Sequence, residues 1–402
     1  MTWTRRDFFA STAVVALAPG LARAAATEQL NIGVIGSGGR GRWLMERAAK
    51  IPGVNIVALS DVWDGAIATA KKMVPAASVH RDFRELLDRS DIQAVIIATP
   101  DHWHTSMTIA AVESDKHVYV EKPVTHWRDN AQDLIDAVNK SGKAVQVGTQ
   151  QRSMPHLQEG KQIVNSGELG ELVRIRMSWN RNVPRHQGRP NIQRSDVDWK
   201  AFCGPAGDLP FDPYKVRGNW RWFWDFGGGI FTDLMVHWFD TALWMVDLPA
   251  TTWAAATGSH LQTAGLWETP DTVQCLLRFK DSPLQAHFAG SFSQHDERAM
   301  LQLQGTKATL YCDRGRYEVR PQRGSHTKSR QRVDGRTVRG GPGFLGADFY
   351  DEVDGAMYHL AQWVSVIRNG GQTACTVKGG VAAAATAHLA NKSLRSGNIA
   401  TS

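Results

Sequence analysis

The stretch Gly36-Ser37-Gly38-Gly39-Arg40-Gly41 follows directly on the apolar run Leu30–Ile35, and it restricts the fold more than any other part of the chain. Glycines at the first, third and sixth positions permit a tight turn, let the backbone approach a pyrophosphate, and allow the following helix to pack close to the strand. That helix presents free N–H groups and the positive end of its dipole to the phosphates. Asp61 stands 20 residues beyond Gly41, just past a second apolar run, Val54–Leu59. An acid there accepts both hydroxyl protons of a ribose and repels a 2′-phosphate, so the pattern points to NAD rather than NADP.

The pattern around the turn agrees. Short runs rich in Val and Ile, at residues 30–35, 54–59, 94–98, 117–120 and 144–147, alternate with helical stretches at 42–49, 65–73, 83–88, 106–112 and 129–140. Strands alternating with helices predict a parallel sheet covered on both faces. Two further turns follow strands, where open α/β sheets place their ligands: Thr99-Pro100-Asp101-His102-Trp103-His104 and Glu121-Lys122-Pro123. Lys122 at the mouth of the sheet, beside a rigidifying proline, is a cleft candidate rather than a surface cation. His102 and His104 lack a third ligand in view, and no metal site is predicted.

Ahead of this domain, Arg5-Arg6-Asp7-Phe8-Phe9 precedes a short Ala/Val/Leu run broken by Pro19-Gly20 and a small-x-small site at Ala22-Arg23-Ala24. The order of these features, over residues 1–24, resembles a twin-arginine export signal, so the chain is expected outside the cytoplasm, as in a periplasm. The run is too short to span a bilayer, and no membrane association is expected after cleavage. Four cysteines, Cys203, Cys275, Cys312 and Cys375, stand far apart without paired spacing. No disulfide framework follows from them, as expected of a chain that folds in a reducing compartment before export. The formal charge of +7 is partly the signal's own, since residues 1–24 carry three arginines against one aspartate. The segment 314–339 holds nine Lys and Arg against two acids. Without aromatic interleaving it reads as a solvated loop, and no nucleic-acid partner is predicted.

The 402 residues, 42% of them hydrophobic, suffice for two cores, and after Gln150 the pattern changes. Runs at 172–179, 252–257, 272–279, 284–292 and 300–304 read as strands without intervening helices, an α+β arrangement with a mainly antiparallel sheet. The domains predicted are 30–150 and 151–402, with the last helical stretch, 381–395, returning to the body. A helix over 229–246 carries Asp233, His237, Asp240 and Trp244 at intervals of four, three and four, one face of an otherwise apolar helix. Such a stripe either faces a cleft or is paired internally. Just upstream, Trp220 to Phe226 includes five aromatics in seven residues. Trp222 among them is a candidate to stack on a sugar ring, with Arg152, Asn180, Arg181 and His186 as hydroxyl partners.

Taken together, the glycine turn, the Thr-Pro-x-x-x-His turn, Glu121-Lys122-Pro123 and Gly227-Gly228-Gly229-Ile230-Phe231-Thr232-Asp233-Leu234-Met235-Val236-His237 resemble the Gfo/Idh/MocA oxidoreductases. Gly305-Thr306-Lys307-Ala308 and His388-Leu389-Ala390-Asn391 extend the likeness toward the C-terminus. The resemblance implies an NAD-dependent enzyme that moves a hydride from a carbohydrate hydroxyl, and a homo-oligomer joined through its open sheet. It places Lys122, Asp233 and His237 at the reacting carbon, with Gly36, Ser37, Gly38, Gly39, Arg40, Gly41, Asp61, Thr99, Pro100, His104, Glu121 and Lys122 around the cofactor. Either His237 or Lys122 then serves as base, Asp233 orienting it. A redox-neutral glycoside hydrolase or lyase of the same superfamily is the alternative. Exported hydrolases of that kind look different at one place: their Tyr-Pro-Thr-His-Gly stretch is absent here.

Overall fold

The computed structural model describes residues 29–127, 129–182, 190–334 and 354–402. Residues 1–24, which the sequence suggests as an export signal, His186 and the end of the basic segment lie outside these residues.

Six strands, β1 (Leu30–Ile35), β2 (Val54–Ser60), β3 (Ser78–His80), β4 (Ala94–Ile97), β5 (His117–Val120) and β6 (Val145–Val147), form a parallel sheet in the order β3-β2-β1-β4-β5-β6. The order reverses between β1 and β4, and the crevice outside that point is where such sheets bind dinucleotides. Residues of β4 are wholly inaccessible to solvent, as expected for a strand with helices on both faces. The helices Gly39–Ala48 and Gly355–Asn369 cover one face, where Trp363 packs edge-on against Tyr119.

Nine strands make the second sheet: β7 (Leu172–Asn180), β8 (Thr251–Ser259), β9 (Thr272–Phe279), β10 (Gln285–Ser291), β11 (Ala299–Gly305), β12 (Ala308–Asp313), β13 (Arg316–Pro321), β14 (Arg330–Val333) and β15 (Ala400–Thr401). Pairing is antiparallel except between β7 and β10. One face packs on the helices around Trp179, Trp222, Trp238 and Phe239, the largest core of the molecule.

The basic segment is not the loop that its charge suggests. Arg316–Pro321 and Arg330–Val333 are strands, because Tyr317 and Val319 turn inward on alternate residues while the cations find acids. Arg320 bonds Glu318 at 2.6 Å, Arg332 bonds Glu159 at 2.8 Å, and Arg330 pairs with Glu168. These three cations are thus paired in place.

The helix starting after Gly229 also departs from expectation. Its turn Phe231–Met235 is a π-turn, wider than the α-helix Val236–Val246 that continues it. A π-turn holds one residue more than an α-turn, so Asp233 is out of phase with His237 and Asp240. The final helix, Val377–Ser396, crosses back to the first domain, where His388 Nε2 lies 2.9 Å from the Thr125 carbonyl, while Asn391 donates to the Gly228 carbonyl of the second domain at 2.8 Å. Among the described residues, no helix is long and apolar enough to cross a membrane.

Candidate active site

The glycine turn is built by exclusion. Gly36 has φ +85°, and a Cβ there would press within 2.7 Å of the Ala98–Thr99 backbone. A Cβ on Gly41 would fall on the Gly36 carbonyl oxygen. Around Gly38 and Gly39, by contrast, there is open space, the approach that a pyrophosphate needs. Beside them opens a cleft of about 990 Å³. Arg40, Asp61, Thr99 and Pro100 line it from the first domain, Lys200, Arg217 and Arg221 from the second. Asp61 is fixed at its edge, accepting from Ser37 N at 2.7 Å, Ser37 Oγ at 3.2 Å and Trp63 N at 2.9 Å. Burial raises its carboxyl above the ordinary value, and the Trp63 and Ser37 donors oppose that. The cradle, the open glycines and the fixed acid fit an adenine dinucleotide.

His104 and Glu121 bear on this cleft only indirectly. The His104 ring spans two loops, Nδ1 at 2.7 Å from the Pro123 carbonyl and Nε2 at 3.0 Å from the Thr99 carbonyl. It therefore ties the two turns together rather than facing the cleft. Glu121 holds Arg40, with Nε and Nη2 both at 2.7 Å from Oε1, which steadies an arginine that lines the phosphate turn. His102 is spoken for as well, bonded to the Phe202 carbonyl at 3.0 Å. Among the described residues no group of three His, Cys, Asp or Glu is arranged to hold a metal ion.

Where the cleft meets the second domain, Lys122 Nζ donates to Asp233 twice, to Oδ1 at 2.9 Å and to the backbone carbonyl at 2.8 Å. Arg221, its guanidinium 4.2 Å from the Trp220 ring centroid, donates to the same Oδ1 at 3.1 Å. One turn on, His237 is 7% exposed, its ring 5.4 Å from that of Trp179, and its Nδ1 is buried with no hydrogen-bond partner among the described residues. Burial, reinforced by Lys122 and Arg314, holds its imidazole well below the usual range and hence neutral. Asp101, buried close by, has its carboxyl pushed up to about 8 by burial, against the pull of Lys122 and Arg221. An amine, two carboxyls and a neutral imidazole, joined to the cleft wall through Arg221, can position and move a proton.

The expected sugar contacts fare differently. Trp222 is fully buried and stacked on Trp267 at 4.2 Å, so its ring face is taken by the core and is closed to a sugar. Arg152 spends its guanidinium on Asp240, Nε and Nη2 each at 2.7 Å from a carboxylate oxygen, as a buried structural pair. Asn180 donates to the Asp296 carbonyl at 2.7 Å and fastens a turn. Arg181 does stay near the site, 5.5 Å over the Trp179 ring. Trp179, Arg221, Asp101 and Arg314 were not singled out from sequence. Arg221 sat inside the aromatic run but was overshadowed by its tryptophans, whereas Trp179 reads as an ordinary inward strand residue.

Fold and site together define an NAD-binding oxidoreductase. Residues 30–149 match the oxidoreductase family with NAD-binding Rossmann fold and residues 157–318 match the Gfo/Idh/MocA C-terminal domain, and the chain belongs to that family. It is similar to the uncharacterized oxidoreductase YrbE of Bacillus subtilis, 27% identical over 72% of this chain and 75% of that one. An inositol 2-dehydrogenase of Rubrobacter xylanophilus is 32% identical over 40% of this chain and 47% of its own length. A glycosyl hydrolase family 109 protein of Solibacter usitatus is 32% identical over 33% and 36%. The chain thus spans three-quarters of the first relative and less than half of the other two. Among solved structures, levoglucosan dehydrogenase in complex with NADH and levoglucosan has a TM-score of 0.69 at 19% identity, over 93% of this chain and 99% of that one. Myo-inositol 2-dehydrogenase from Lactobacillus plantarum has a TM-score of 0.68 at 20% identity, with 93% and 99% covered. At such identities the likeness is one of fold.

Proposed function

We propose that this protein is an exported oxidoreductase that removes a hydride from a hydroxyl-bearing carbon of a sugar or sugar derivative, with its NAD held tightly. The observation that carries this reading is the Lys122–Asp233 pair, joined to the lining of the dinucleotide cleft through Arg221 and set beside a neutral buried His237. Bound in that cleft, NAD supplies the hydride acceptor.

The residues of the chain divide the remaining work. Lys122 has three N–H donors, two of them committed to Asp233, which leaves one for a substrate oxygen. That donor stabilises the negative charge growing on the oxygen as its proton leaves. His237, held uncharged by burial, is the group assigned to take the proton, and Trp179 packs against its ring. Asp233 keeps the ammonium aimed, and Asp61 selects the unphosphorylated ribose. Inositol and levoglucosan, named for relatives in sequence or fold, are polyhydroxylated rings, which supports this substrate class. Residues 1–24 and four buried, free cysteines agree with folding before export. Exposed Val173 and Leu276 on the nine-stranded sheet favour a second copy of the chain as its cover.

The similarity to a family 109 glycosyl hydrolase keeps a redox-neutral reading in play, in which the hydride returns within each turnover. One experiment addresses both. Purified protein, dialysed at length and denatured, is expected to release near-stoichiometric NAD(H). Incubated with a panel of sugars and glycosides, it yields an oxidised product with NADH absorbance in the first reading and a cleaved product without it in the second. Cofactor-free protein that turns over no sugar would refute both.

A further inference from the structure

Part of the wall of the dinucleotide cleft does not come from the NAD-binding domain. It comes from Asp198, Lys200, Ala201, Phe202 and Gly204, in a segment that leaves the second domain and docks on the first. The docking is specific and reaches two loops. Val197 forms an antiparallel bridge with Trp63, two residues past Asp61, and Asp198 N donates to the Val62 carbonyl at 2.9 Å. Four residues on, the Phe202 carbonyl accepts from His102 Nε2 at 3.0 Å and from Trp103 Nε1 at 3.1 Å, both in the turn after β4. Gly204, with φ +43°, lies so flat on the Trp103 indole that any Cβ there would overlap the ring. The helix Trp199–Cys203 between these anchors is capped by Asp198 and set by the stack of Trp199 on Phe202, 4.9 Å apart.

These contacts join the loop that begins with the ribose-binding acid to the turn that flanks the glycine loop. A dinucleotide lying along the glycine turn with its ribose at Asp61 is therefore enclosed in part by the second domain. We propose that Val197–Gly204 is a clasp over the adenosine half of NAD, so that the cofactor enters or leaves only when this segment undocks from Trp63, His102 and Trp103. The inference rests on the reading of the cleft as the NAD site and adds a gate to it. Neither the Rossmann turn nor Asp61 requires such a gate. It gives the retained cofactor a physical cause: each docking hydrogen bond slows release by a few-fold, and the three together by about a hundredfold.

The Trp63–Val197 pair offers a direct test. The Asp198 N–H to Val62 carbonyl bond lies beside the pair, which makes Trp63 and Val197 a non-hydrogen-bonded pair with Cα atoms about 4.5 Å apart. That spacing admits a disulfide. The four native cysteines are buried and free, whereas the thiols introduced in Trp63→Cys/Val197→Cys are cross-strand neighbours and can pair with each other. The full-length double variant is loaded with NADH while reduced, then oxidised, and release is followed by NADH fluorescence after mixing with excess NAD. Release from the oxidised protein is expected to be slower by about tenfold or more than from the same protein reduced, since the locked clasp must stay docked. Trp103→Phe, which keeps a ring but loses the N–H to Phe202, is expected to release a few-fold faster than the unaltered protein. Equal release rates in both redox states, with NADH binding intact, would overturn the clasp alone. An unaltered protein that binds no NADH would overturn the clasp and the NAD reading together.

Discussion

Replacing Arg152 separates a structural role from a substrate-binding one. Its side chain and that of Asp240 are nearly inaccessible, 11% and 0% exposed, and meet through two 2.7 Å bonds. Burial works against the guanidinium's charge, yet the Asp240 carboxylate more than offsets it and raises the group above its ordinary value. In Arg152→Met the Asp240 carboxylate stays buried without its partner, with only the weak Cys375 thiol 3.6 Å away. Breaking a buried pair in this way costs about 3–5 kcal/mol. A chain of 402 residues has an unfolding entropy of about 0.8 kcal/mol/K, so the melting temperature is expected to fall by about 5 °C. Adding Asp240→Leu removes the orphaned charge and should recover most of the loss, because two apolar side chains in place of a buried pair are often neutral. Differential scanning fluorimetry of the two single variants and the double variant measures the coupling, and initial rates give KM. A midpoint unchanged in Arg152→Met, together with a raised KM for the sugar, would refute the structural assignment and return Arg152 to the substrate.

Lys122→Met and Asp233→Asn are each expected to lower turnover by about a hundred- to ten-thousand-fold while NADH still binds, measured by single-turnover rates against fluorescence titration. Asp61→Ser should narrow the preference for NAD over NADP. Equal dissociation constants for both cofactors in the unaltered protein would remove Asp61 from the ribose site. Stability should rise with pH between about 4 and 6.5, because burial holds His102 at about 4, His126 at about 3 and His359 at about 4, and the unfolded chain binds more protons there. Asp101, raised to about 8, opposes this from pH ~4 to 8, so it offsets part of the rise in the lower window and leaves a gentle decline above it. Urea midpoints at pH 5, 6.5 and 8 check both signs, and a midpoint higher at pH 5 than at pH 6.5 would contradict them.

The first domain was legible in the sequence because its information is local. Strands buried on both faces are continuous apolar runs, and the glycine turn and Asp61 sit at distances set by one βαβ unit. β3 escaped notice since Ser78–His80 is three residues long and has no apolar run. β13 carries its signal openly in the alternation of an aromatic and an aliphatic position, Tyr317 and Val319, with charged ones, but the density of arginine obscured it. Side-chain partnerships were the least legible. Arg152 and Asp240 are 88 residues apart, Trp222 and Trp267 meet only through the fold, and nothing in local spacing tells a buried ion pair from a sugar contact. The Lys122–Asp233 pair, 111 residues apart, became visible through the family likeness rather than through pattern.

The π-turn at Phe231–Met235 has a consequence for how this site tolerates change in length. Asp233 lies within the π-turn and His237 in the α-helix that continues it, so the two side chains are set by different helical geometries. Removing one residue from the turn would yield an ordinary α-helix, a conformation at least as comfortable for the backbone, and would turn Asp233 by about 100° about the axis relative to His237. Such a deletion would leave a folded protein whose carboxylate points away from Lys122. Single-residue deletions are usually harmful because they break structure; here the damage would be to alignment alone, and drift in the length of this turn is closed to the chain for as long as its chemistry is retained.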